Sequence, residues 1–146
     1  MTKAVTWFRA LAVVLGVFTL GHTAGTRHSI THGLAEDTVI AAMQHVQIPV
    51  MGFNRSYWEF YRGFSVNISV LLAALAVLAW QLGNLSRRNP AATLPLAVTM
   101  LVSCIATALV CFVYFFTAPM FLSTLAVIIS ANAVRLVARD AGSSTV

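Results

Sequence analysis

The sequence predicts an all-α membrane protein, a four-transmembrane-helix bundle with a short amphipathic helix in its first external loop. Three observations carry this. Hydrophobic residues make up 59% of the 146-residue chain and charged residues only 9%, against roughly 25% charged in an average soluble domain. The apolar residues gather into four runs of 19 to 23 residues, and a helix needs about 20 to cross a hydrocarbon core. The nine Lys and Arg residues cluster near the ends of those runs, where membrane orientation requires them. No basic stripe of the kind that binds nucleic acid is present. At this length the chain is read as one membrane domain, 1–146, with spans at about 4–24, 57–85, 94–116 and 119–138 and an external loop at 25–56.

The first span has Arg9 as its one charge, close enough to the start to extend its head to the interface. Lys3 and Arg9 before an apolar stretch also suit a signal peptide, but the small residues that cleavage wants are poorly matched around 19–24. The second span opens on Ser56-Tyr57-Trp58-Glu59, a capping-box pattern in which Ser56 and Glu59 satisfy each other's free amides. It closes on Asn84 to Pro90 with Arg87 and Arg88. The third, 94–116, is uncharged, with Pro95 expected in its first turn. Thr117-Ala118-Pro119 is expected to be a tight connection that makes spans three and four antiparallel neighbours. Cys104 and Cys111 are seven residues apart, about 10 Å along a helix, too far to bridge each other. They read as packing residues.

Four spans place both termini and the loop at 85–93 on one side, with Lys3, Arg9, Arg87, Arg88, Arg135 and Arg139. The other side holds Arg27, Arg55 and Arg62, offset by Glu36, Asp37 and Glu59. The positive-inside rule then puts both termini in the cytoplasm. Within the long loop, residues 35–47 suggest a helix with Glu36 and Asp37 at its amino end and an apolar stripe of Val39, Ala42, Met43 and Val46. Pro49 should stop it.

The middle of every span lacks an ionisable group, which argues against an ion-coupled transporter and against a haem held between histidines. Polar chemistry gathers outside. His22, His28, His32 and His45 all fall within 24 positions. His28, His32 and Glu36 are spaced i, i+4, i+8, a weak metal-ligand candidate on a continuous helix, weighed against a solvated loop. Trp58 and Tyr61 suit a headgroup-level aromatic belt, and Arg55, Glu59 and Arg62 an ion ladder. Alternatively Glu59 and Arg62 point into the bundle beside His22, making His22 and Glu59 a candidate acid–base pair. Arg62, Asn67, Tyr114, Trp58 and Tyr61 would then line a ligand pocket.

Gly21-His22-Thr23, with Arg55-Ser56-Tyr57-Trp58-Glu59-Phe60-Tyr61-Arg62-Gly63-Phe64, resembles a family of small bacterial four-span membrane proteins. The layout also resembles DoxX-like proteins. The resemblance implies a bacterial inner-membrane origin and supplies no catalytic residues or cofactor. The expected function is a binding or accessory protein holding a lipid, a quinone or a partner's helix at its outer end. Alternatives are a small enzyme acting on a lipophilic substrate through His22 and Glu59, and a transporter or channel subunit. Membrane lipids are the expected partners, with self-association or a larger membrane complex plausible on so much helix surface.

Overall fold

A computed structural model describes residues 3–27 and 33–143. Among the described residues, four helices are long and apolar enough to cross a membrane: α1 (Lys3–Arg27), α3 (Tyr57–Arg88), α4 (Pro90–Tyr114) and α5 (Thr117–Ser143). The chain is therefore a multi-pass helical membrane protein. Between α1 and α3 lie α2 (Leu34–His45) and two short strands, β1 (Gln47–Val50) and β2 (Phe53–Ser56). The contacts divide into two units, one of residues 1–19 and 72–146 and one of residues 20–71.

The first unit is a four-helix bundle. Its core takes Ala4, Phe8, Leu11 and Leu15 from α1, Ala79 and Leu82 from α3, Ala97, Met100 and Cys104 from α4, and Ala126, Ile129, Ala133 and Val137 from α5. A second cluster joins Phe18, Leu72 and Cys111. In each helix a line of buried and half-buried positions runs in alternating steps of four and three residues. In α4 it is Thr93, Ala97, Met100, Cys104, the half-buried Thr107 and Cys111; in α5, Ser123, Ala126, Ser130, Ala133 and Val137, with Ile129 buried beside Ser130. A mean step of 3.5 keeps one seam facing the partners of a left-handed bundle. Most seam residues are small. Lipid tails are as apolar as leucine, so membrane helices associate through close van der Waals contact, which small residues permit.

Gly83 shows how close that contact is. A Cβ placed there would meet Phe8 Cβ at 3.2 Å and the Val5 carbonyl oxygen at 3.6 Å. Hydroxyls along α4 are satisfied within the helix itself: Thr99 Oγ1 donates to the Pro95 carbonyl at 3.1 Å, Ser103 Oγ to the Thr99 carbonyl at 3.0 Å and Thr107 Oγ1 to the Ser103 carbonyl at 2.9 Å. In hydrocarbon no water could do this.

The helices outrun the apolar runs, because a helix continues into the headgroup layer where charges are tolerated. α4 begins at Pro90, four residues before the expected start, with Asn89 as its cap accepting from the Ala92 amide at 3.0 Å. Pro95 is consequently the sixth helical residue and leaves the Ala91 carbonyl without its usual amide donor. Thr117-Ala118-Pro119 is the first turn of α5, where proline's missing N–H costs nothing, and the connection from α4 is Phe115-Phe116 alone.

In the unit of residues 20–71, α2 agrees with the helix expected at 35–47, yet it has no buried residue. The two strands were not expected. They pair antiparallel from Gln47 opposite Ser56 to Val50 opposite Phe53, around a two-residue turn of Met51 (φ 49°) and Gly52 (φ 88°). Positive φ at both central positions is the type I′ geometry that matches strand twist.

Replacing Gly83 by Val should push α1 from α3 and cost about 1–3 kcal/mol, the usual penalty of overpacking. Gly63→Ala, at a position with open space around it, should be nearly neutral. The midpoint of denaturation in mixed micelles checks both.

Candidate functional site

The seam spacing of α1 runs Ala4, Phe8, Leu11, Leu15, Phe18 and then His22; that of α3 runs back from Ser86 through Gly83, Ala79, Ala76 and Leu72 to Ser69 and Ser65. Within the 20–71 unit the same spacing falls on polar side chains, His22 on α1 and Ser65 and Ser69 on α3. His22 and Ser69 meet there. His22 Nδ1 lies 3.0 Å from Ser69 Oγ, Thr23 Oγ1 donates to the same oxygen at 2.9 Å, and Ser69 Oγ can donate to the Ser65 carbonyl at 3.3 Å. His22 is half-buried and Ser65 buried.

The Ser69 hydroxyl has one proton and two acceptors in reach, His22 Nδ1 being the nearer. When it donates to Nδ1, the imidazole carries its own proton on Nε2, which has no partner among the described residues. When it donates to the Ser65 carbonyl instead, Nδ1–H donates to Ser69 and Nε2 becomes an acceptor. The cluster therefore offers one hydrogen-bonding position beside apolar helix surface. Spacing singled out His22; Ser69 and Thr23 were missed, although the i, i+4 relation of Ser65 and Ser69 to the apolar seam was readable.

Glu59 serves a different purpose. Its Oε2 accepts from the Ser56 amide at 2.7 Å, while the Glu59 amide donates to Ser56 Oγ at 3.2 Å. This is the capping box that the sequence predicts. Its Oε1 pairs with Arg55 at 3.3 Å. His22 and Glu59 share no hydrogen bond. His22 reaches α3 at Ser69, ten residues below Glu59, which is about 15 Å along the axis. Structure thus gives the proposed acid–base pair two separate tasks.

Of the expected ion ladder, only Arg55–Glu59 forms; Arg62 is exposed and bonds to neither. Arg62 does fall on the same α3 face as Ser65 and Ser69, as does Trp58. Trp58 stacks on Tyr61 with ring centroids 5.5 Å apart, as two belt residues can. Asn67 is exposed, and two residues from Ser69 it lies on the opposite side of α3. Tyr114 is the last residue of α4 and is 78% exposed. Among the metal candidates, His28 and His32 lie outside the described residues, and Glu36 sits in the first turn of α2. Among the described residues no group of three His, Cys, Asp or Glu side chains is placed to hold a metal ion. The bundle seam itself encloses a space of only about 10 Å³ beside Leu15, Phe18, Leu72 and Cys104, no more than one water occupies.

Ser56→Ala should fray the start of α3 by about 1 kcal/mol, read as faster amide hydrogen exchange at residues 57–60. Glu59→Gln preserves the box and should leave that exchange nearly unchanged. No family model, curated protein or solved structure matches this chain.

Proposed function

We propose that this chain is a binding or accessory protein of a bacterial inner membrane, with both termini in the cytoplasm, holding the polar end of a lipid- or quinone-type ligand at its outer end. The observation that carries this reading is the half-buried His22 imidazole, anchored at Nδ1 by Ser69 and with no partner at Nε2 among the described residues. Ser69 precedes Arg87 by 18 residues, about 27 Å of helix. With the arginines at the cytoplasmic interface, the cluster falls at the outer edge of a hydrocarbon core about 30 Å thick. A lipophilic molecule carries its ester or ring carbonyl at that depth. Imidazole Nε2–H donates to such an oxygen, and the apolar flanks of α1 and α3 accept its hydrocarbon. Orientation rests on the six basic residues that share a side with the termini, against three on the other.

Purified in a mild detergent, the wild-type protein should retain a carbonyl-bearing lipid or quinone near one equivalent by mass spectrometry of the extract. His22→Leu and Ser69→Ala each remove a hydrogen bond worth about 1 kcal/mol and should cut retention about fivefold. Absence of any such molecule from the wild type, or equal retention in both variants, would sink the proposal.

A further inference from the structure

The carboxyl end of α3 carries polar groups that the outer-end reading does not use. Gln81, Asn84, Leu85, Arg87 and Arg88 line a concavity of about 540 Å³. No acidic side chain lines it. Among the described residues, the Gln81, Asn84, Arg87 and Arg88 side chains make no hydrogen bond or ion pair. One turn before Asn84, the Arg9 guanidinium lies over the Trp80 ring, 4.8 Å from its centroid, and its Nε is buried without a partner. Trp80, Asn84 and Arg87 follow one another at i, i+4 and i+7 along α3, so they share a face.

Topology accounts for the arginines, since positive charge beside a span fixes its orientation. It does not account for the amides. Asn132, elsewhere in the bundle, turns its amide back to its own helix and donates to the Ile128 carbonyl at 2.8 Å. Gln81 and Asn84 do not, although each sits in the last two turns of a membrane helix, where an unpaired amide is costly unless headgroups or water satisfy it. Two guanidiniums and two amides thus border an open depression on the end of one helix, a donor-rich surface with no acidic side chain in its lining. Its depth is that of lipid headgroups, at the end of a span and beside the loop at 85–93. Basic residues at the end of a span attract anionic headgroups, and arginine's planar fork matches phosphate oxygens in pairs.

We infer that this hollow is a binding site for the phosphate of an anionic phospholipid, gripped by Arg87 and Arg88 and positioned by Gln81 and Asn84. The ligand would hold the end of α3 at a fixed depth. It is independent of the His22 cluster and of any ligand bound there.

The purified full-length chain in neutral detergent tests it by native mass spectrometry, with phosphatidylglycerol and phosphatidylcholine of the same acyl chains as probes. Wild type should retain phosphatidylglycerol at about tenfold lower concentration than phosphatidylcholine. Arg87→Gln/Arg88→Gln should abolish that preference, and Gln81→Leu/Asn84→Leu, which keeps every charge, should weaken it severalfold. Thermal stability measured alongside reports folding, so a double variant that unfolds is read through the charge-preserving one. Equal retention of both lipids by the wild type would overturn the proposal, as would a preference unchanged in both double variants. Inorganic phosphate should not displace the bound lipid; displacement with matching stabilisation by phosphate alone would make this a soluble-anion site and overturn the lipid assignment.

Discussion

Close approach of helices along a seam of small side chains is the constraint on which the rest of this molecule depends. In water a bundle gains by hiding apolar faces; in lipid that gain is absent, and only contact distance distinguishes a packed helix from a solvated one. The glycine at 83, against Phe8 and the Val5 backbone, marks a close approach of α1 and α3 in the bundle unit. Ala79, Ala97, Ala126 and Ala133 repeat the device on the other faces. Because the 3.5-residue spacing holds in every long helix, each presents one face inward and frees the rest for lipid. Exposed valine, leucine and phenylalanine on those outer faces then need no other explanation.

The same spacing explains why polar chemistry appears where it does. A seam position is sheltered whatever residue occupies it, so substituting histidine or serine for alanine converts packing into a held polar group. His22, Ser65 and Ser69 are such substitutions on α1 and α3. Two short polar contacts, His22 to Ser69 and Ser69 to the Ser65 carbonyl, tie them together, and Thr23 donates to Ser69 as well, which limits the cost of taking them from water and fixes the imidazole. Glu59, by contrast, stands at a helix start, where its carboxylate is spent on the Ser56 amide and Arg55. Two residues with equal claim to acid–base chemistry on composition thus divide into one oriented by packing and one consumed by capping.

Much of this was legible in the sequence. Apolar run length reported the four spans, and Ser56-x-x-Glu59 reported the start of α3 to the residue, because capping is a local interaction with a fixed offset. Helix ends without such a signal were misjudged: α5 continues past Ala138 to Ser143 and α4 begins before Leu94, since charged and small residues remain helical beyond the hydrocarbon. The hairpin escaped notice because Met51-Gly52 lacks the usual Asn-Gly signature of a type I′ turn and Pro49 read as a stop. In fact Pro49 lies within β1, opposite Asn54. Ser69 was hidden among lipid-facing residues, and only the register of the seam separates it from Asn67 two positions away.

A nitroxide scan along α3, from Ser65 to Ser86 in lipid bilayers, tests the central claim most directly. Oxygen accessibility should fall at Ser65, Ser69, Leu72, Ala76, Ala79 and Gly83 and rise at Asn67, Val70, Val77 and Leu78, with an unbroken period of 3.5 residues through Ser69. A scan in which Ser65 and Ser69 are as accessible as Asn67, or in which the period changes before Leu72, would contradict a seam that continues into the His22 cluster.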